Sequence, residues 1–289
     1  MKYTIKSNKL TVDICDKGAE LSSVKTADGF EYLWQADKAF WGAQAPVLFP
    51  LCGRILNGKY LYDGKEYFMN THGFTRDSYF EVLSHTDSKL VMEIKTSEET
   101  LKQYPFDFRL IAKYSVTDDT LTAEYTVENN GDAVMPYMFG THPGLRLWGD
   151  EEIGDFYLEF EGKDSVIWHP LQHGCFVNPN GQNYPLKNQT YPLNEEEIYD
   201  MDTIIFVGTG TKTALTSKKA ERRVEMCWSD NFKYFCIWKM NKSEARYICL
   251  EPWSDVPGTG EVEEDFDTRK MSHLNPHSAE NYQYKIKFS

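Results

Sequence analysis

The sequence predicts an all-β protein, one large antiparallel β-sandwich with a few short helices, spanning residues 1–289 as a single domain. Three observations carry that expectation. Apolar residues recur at every second position in short runs from Ile5 to Phe288, the spacing that turns one face of a strand to a core. Turn-forming residues separate the runs, most clearly Asp63-Gly64 between β-prone flanks, because a two-residue hairpin turn needs positive φ at both central positions. No helical pattern alternates with the strands and no repeat of fixed period is present, which argues against a parallel α/β sheet or a solenoid.

In chain order, Ile5, Leu10, Val12 and Ile14 open a meander that continues through residues 21–24 and 31–34, with turns at Gly18 and Asp28-Gly29. From Trp41 to Arg54 proline and glycine break the alternation, and a surface loop of the kind that carries sites is expected. Residues 60–67 form a hairpin around Asp63-Gly64. Strands follow at 80–83, 90–94, 108–116 and 121–127, the last two joined through Asp118-Asp119. Ser97 is a candidate N-cap for a short helix reaching Tyr104, with acids in its first turn. Residues 135–140 lead a strand up to His142. Proline and asparagine between 170 and 192 suggest a long loop, residues 194–199 a small helix, and 203–207, 214–217, 224–228, 234–239, 247–250 and 282–288 the remaining strands.

Composition narrows the class of partner. A formal net charge of −13 and a pI near 5.0 give a surface that repels nucleic acid and anionic membranes, so a small neutral or polar molecule fits better. The aromatic share of 15% suits strand-rich proteins and sugar-stacking surfaces. Six cysteines, at 15, 52, 175, 227, 236 and 249, form no C-x-x-C pair and read as reduced core thiols. His169 and His173 are four apart, but Pro170 and Gly174 oppose the helix that would align them, and no metal or other cofactor is expected. The first residues contain no apolar signal core and no run reaches membrane-spanning length, so a cytoplasmic protein is expected.

Four short motifs carry chemistry. In Tyr247-Ile248-Cys249-Leu250-Glu251-Pro252-Trp253 an apolar run ends on a carboxylate stiffened by Pro252 and placed beside an indole, a setting that raises proton affinity and suits a general base. Upstream stand Phe49-Pro50-Leu51-Cys52-Gly53-Arg54-Ile55, His72-Gly73-Phe74-Thr75-Arg76 and Thr141-His142-Pro143-Gly144. In that order, FP-x-CGRI, HGF-x-R, THPG and LEPW, the chain resembles the aldose 1-epimerase (galactose mutarotase-like) superfamily, especially its branch of LacX-like proteins and hexose-6-phosphate 1-epimerases.

The resemblance implies a galactose mutarotase-like supersandwich that interconverts the α and β anomers of a hexose without a cofactor. It makes Glu251 the base and His142 the acid, places Arg54, His72 and Asp202 on sugar hydroxyls, and offers Phe74 and Trp253 as stacking surfaces. Arg76 marks the branch and suits a phosphate, because guanidinium binds it bidentately. A Glu–His pair fits the reaction: a carboxylate takes the C1 hydroxyl proton while an imidazolium protonates the ring oxygen from the other side, and their ordinary proton affinities straddle neutrality. Leu51 and Leu145, where the branch commonly has Trp and Phe, are expected to alter the pocket lining. The competing readings are a non-catalytic carbohydrate-binding protein and a hexose-6-phosphate 1-epimerase. Glycoside hydrolysis would need two carboxylates, and the sequence offers one.

Overall fold

The computed structural model describes residues 1–193, 203–219, 221–240 and 244–289. Two antiparallel sheets dominate it. The larger has nine strands in the order Thr190–Pro192, Phe156–Glu159, Lys212–Ser217, Val224–Trp228, Ser278–Phe288, Thr120–Asn129, Phe108–Thr117, Lys89–Lys95 and Glu81–His85. Its central strands Phe108–Thr117 and Thr120–Asn129 alternate buried and half-buried residues along almost their whole length, as a sheet with one face on the core requires. The second sheet runs Gln182–Pro185, Ser165–His169, Thr203–Val207, Tyr234–Trp238, Tyr247–Trp253, Gly140–Thr141 and Val47–Leu48, with Gly144–Arg146 also paired to Tyr247–Trp253.

The two sheets share one core. Trp228 of the first stacks on Phe235 of the second, ring centres 4.7 Å apart, and Tyr125 meets Phe139 at 5.0 Å. Such pairs add roughly 0.5–1.5 kcal/mol each beyond the area they bury. Because side chains alternate along a strand, Phe235 on the core face puts Cys236 and Trp238 on the opposite face. The same alternation sends Ile248 and Leu250 into the main core and Tyr247, Cys249 and Glu251 outward. That outer face is also covered: Trp34, Phe40, Trp41 and Trp238 pack on Tyr247 and Cys249. All seven residues of Tyr247–Trp253 are therefore buried, which is why it reads as a continuous apolar run.

The Asp63-Gly64 hairpin forms as expected, with φ of +48° and +66°. Ser97 caps a helix, Glu98–Leu101, shorter than the segment its pattern suggested. Residues 31–34 make only isolated bridges. The region 170–192 corrects the expected long loop: it contains the strands Leu171–Gln172, Phe176–Val177, Gln182–Pro185 and Thr190–Pro192. Its prolines mislead because Pro185 and Pro192 end strands at sheet edges, where a missing N–H costs nothing. The helix expected at 194–199 lies outside the described residues. Among the described residues no helix is long and apolar enough to cross a membrane.

Candidate active site

The site is built on one rung of the second sheet. Gly140 pairs with Trp253 and Gly144 with Cys249, so the register is the same on either side and sets His142 directly opposite Glu251. Leu250 N–H donates to the Pro143 carbonyl at 3.2 Å and Ser254 N–H to that of Phe139 at 2.8 Å. Hydrogen-bonded rungs therefore fall at 250 and 254, and by alternation at 252. The Glu251–His142 rung is of the non-hydrogen-bonded kind, with Cα atoms only about 4.5 Å apart and side chains closest. Pro143 and Pro252 sit on the two flanking rungs and each removes a donor there. Glu251 is thus interior to the strand Tyr247–Trp253, not at its end as the sequence suggested: Pro252 is accommodated because its nitrogen faces this interrupted partner.

The two glycines bracketing His142 leave room for indoles. A Cβ on Gly140 would lie 2.7 Å from Trp253 Cδ1, and one on Gly144 would lie 2.6 Å from Trp41 Cζ3. Trp41 consequently lies over the His142 ring, centres 5.0 Å apart and tilted by 34°, while Trp238 meets it edge-on at 5.4 Å.

His142 Nε2 stands 3.2 Å from Glu251 Oε1, with Glu251 fully buried and His142 nearly so. The contact is off the line of a hydrogen bond, and among the described residues both carboxylate oxygens and His142 Nδ1 lack a hydrogen-bond partner. Burial pushes the Glu251 carboxyl well above the usual carboxylate range, an effect the approaching Trp253 indole N–H only partly opposes. Burial also pushes the His142 imidazole down, to about 3. Both shifts favour the uncharged forms. This corrects the expectation, drawn from ordinary proton affinities, of an ionised Glu beside a protonated His.

The pair lies at a cavity of about 390 Å³, within the range of small-ligand pockets. Arg54, His72, Arg76 and Trp253 line it too, so six of the eight residues singled out from the sequence come together. His72 is locked: its N–H donates to the Gly53 carbonyl at 2.8 Å and its Nδ1 accepts from Gly53 N–H at 3.0 Å. With Nδ1 occupied as an acceptor, the neutral ring carries its proton on Nε2. Burial, helped by His142, Arg76 and Arg54, holds His72 well below the usual imidazole range. Arg76 touches Asp77 only at 3.9 Å, whereas Lys17 reaches Asp77 at 3.0 Å.

Phe74 is a correction. It packs in the core against Phe49, Tyr104 and Phe108, since Thr75 and the backbone on either side of it are tied to residues 47 and 49. Leu51 and Leu145 are likewise core residues and line no part of the cavity. Asp202 lies outside the described residues; its neighbour Thr203, the first residue of Thr203–Val207, lines the cavity. Sequence reasoning missed the walls made by Trp41, Trp238, Leu171 and Cys175. Trp238 is brought to the site by register, sharing strand parity with Cys236, the rung partner of Glu251, and the sequence alone carries no signal for that pairing.

Residues 1–288 match the sequence profile of the aldose 1-epimerase family. The chain belongs to that family. Among curated relatives of this aldose 1-epimerase family member, the plasmid-encoded protein LacX of Lactococcus lactis subsp. lactis is 30% identical over 275 residues, 89% of this chain and 88% of LacX. The crystal structure of a galactose mutarotase related enzyme from Lactobacillus acidophilus superposes with a TM-score of 0.94 at 31% identity, covering 100% of this chain and 97% of that one. A galactose mutarotase-like protein from Lactobacillus casei ATCC 334 gives 0.92 at 29% identity, with both chains fully covered. The family's reaction class is the epimerisation of a sugar.

Proposed function

We propose that the protein is an aldose 1-epimerase, a mutarotase, that interconverts the anomers of a hexose, with Glu251 as base and His142 as acid. The observation that supports this reading most is the buried rung itself: an imidazole and a carboxyl 3.2 Å apart, both short of hydrogen-bond partners among the described residues, at a cavity walled by indoles. The two groups stand side by side, not on opposite sides of one oxygen as first expected. Side by side also fits the chemistry, because the C1 hydroxyl and the ring oxygen are bonded to the same carbon. Glu251 takes the hydroxyl proton as His142 protonates the ring oxygen, the C1–O5 bond breaks, and the free aldehyde forms. Rotation about C1–C2 presents the other carbonyl face, and the transfers run in reverse.

Ordering the charges requires the sugar. Burial favours the uncharged pair, and the hydroxyls of a bound hexose bring the hydrogen bonds that stabilise the form with its proton on His142. His72 Nε2–H and the Arg54 guanidinium supply donors for the remaining hydroxyls. Trp41, Trp238 and Trp253 offer faces and edges to the apolar side of the ring. Polarimetry on freshly dissolved α-glucose and α-galactose tests the reading. Acceleration that disappears in Glu251→Gln and His142→Asn supports it, and binding without acceleration by wild type establishes a carbohydrate-binding protein instead. Arg54 and Arg76, both at the cavity and neither closely ion-paired among the described residues, favour a second reading in which the hexose carries a phosphate.

A further inference from the structure

The catalytic rung has a third neighbour that the epimerase chemistry does not use. Cys249 lies two residues before Glu251 on the same strand face, fully buried, and ligand atoms of His142, Cys249 and Glu251 all lie within 4.8 Å of one another. We propose that these three side chains form a binding site for a borderline-soft divalent cation, Zn²⁺ or Co²⁺, and that filling it switches the acid–base pair off.

The donor set selects the ion. One imidazole nitrogen, one thiolate and one carboxylate suit zinc and its cobalt surrogate, whereas magnesium and calcium prefer oxygen ligands throughout. Zinc–ligand bonds of about 2.0–2.3 Å in a tetrahedron hold ligand atoms about 3.3–3.8 Å apart. The His142–Glu251 separation of 3.2 Å already meets that spacing. The thiol needs to move by no more than roughly an ångström to meet it too.

The backbone keeps the three groups convergent: Cys249 and Glu251 share a strand face, and His142 is fixed opposite by register. Among the described residues the Glu251 carboxylate oxygens lack hydrogen-bond partners, and a cation held between Glu251 Oε1 and His142 Nε2 satisfies such a lone pair at once. His142 and Glu251 border the cavity, so the fourth position opens onto it, and three protein ligands with one open position is an arrangement zinc accepts. On binding, the Cys249 thiol and the Glu251 carboxyl each give a proton to solvent, and the sulfur and a carboxylate oxygen become ligands. The lone pairs that would carry protons to and from a sugar are then held by the metal. Binding follows from the geometry alone; the loss of turnover rests on the epimerase reading.

The test is titration of the chelator-treated, full-length protein with Co²⁺, read by thiolate-to-cobalt charge-transfer absorption, beside titration of its mutarotation with Zn²⁺. The expected result is one equivalent of Co²⁺ with a thiolate band, Zn²⁺ inhibition reversed by chelator, and loss of the band in Cys249→Ala. That variant keeps its metal-free turnover and needs at least about tenfold more Zn²⁺ for equal inhibition. Cys249→Ser, closer in volume, decides the matter if the alanine variant does not fold. No band in wild type, or a band that survives both substitutions, overturns the site. A band without any effect of Zn²⁺ on the rate overturns the switch. A Cys249-dependent band in a protein without mutarotation refutes the function proposed above and leaves the metal site standing.

Discussion

His142 and Glu251 occupy one non-hydrogen-bonded rung between neighbouring strands, with Nε2 3.2 Å from Oε1. Their separation is set by the pleat of a sheet, so the surrounding loops do not have to hold the two groups together. That makes the pair rigid, and it places the functional demand on burial, which decides where the proton rests.

Glu251→Gln is expected to lower kcat by about 10²–10⁴-fold, the usual contribution of a positioned base, with little change in KM, measured by polarimetry. It also has a stability signature. A carboxyl whose folded pKa lies above its ordinary value of 4.5 contributes stability below that value and loses it as pH rises through the folded pKa. At pH 7 the glutamine variant should therefore melt at a higher temperature than wild type, with the gap narrowing as the pH is lowered toward 4.5. A lower Tm at pH 7 would contradict the buried placement of the carboxyl.

His72 should stay neutral on Nε2–H while ordinary imidazoles titrate. Its folded pKa is depressed below 6.5, so the unfolded chain takes up a proton there that the folded chain refuses, and its contribution to stability declines as pH falls below 6.5. Long-range ¹⁵N–¹H NMR should show a fixed Nε2–H tautomer across that pH. A midpoint at or above 6.5 would show that the ring is not locked against Gly53.

Gly144→Ala introduces a Cβ 2.6 Å from Trp41 Cζ3 and should displace the indole from the His142 ring. The overpacking is expected to cost about 1–3 kcal/mol, seen as a lower urea midpoint. Loss of positioning should lower kcat/KM about tenfold or more. Full activity in this variant would mean that Trp41 does not orient His142.

Arg76→Ala separates the two substrate readings. If the hexose carries a phosphate, removing a charged donor worth about 1.5–3 kcal/mol should raise KM for glucose 6-phosphate roughly 10- to 100-fold and leave glucose unaffected. Equal effects on both sugars would remove the phosphate from consideration.

Much of this was legible because the signals were local. Period-two spacing and the Asp63-Gly64 turn are written in adjacent residues, and so the central strands emerged where expected. The four motifs brought Arg54, His72, Arg76, His142, Glu251 and Trp253 to one cavity. What failed depended on distant packing. Phe74 looks like a stacking residue beside His72, but only the fold shows Phe49, Tyr104 and Phe108 waiting for it. Pro252 looks like a terminator until the interrupted strand beside it is seen. The inverted proton preferences of Glu251 and His142 come from burial, which a one-dimensional string does not encode.

The prolines that flank the pair have one more effect. In the present alignment Pro143 and Pro252 each spoil a different rung, so each of those rungs keeps one potential bond. A two-residue slide of one strand would set proline against proline in a single rung with no donor at all. The sheet is thereby discouraged from sliding in that direction at the place where sliding would part His142 from Glu251.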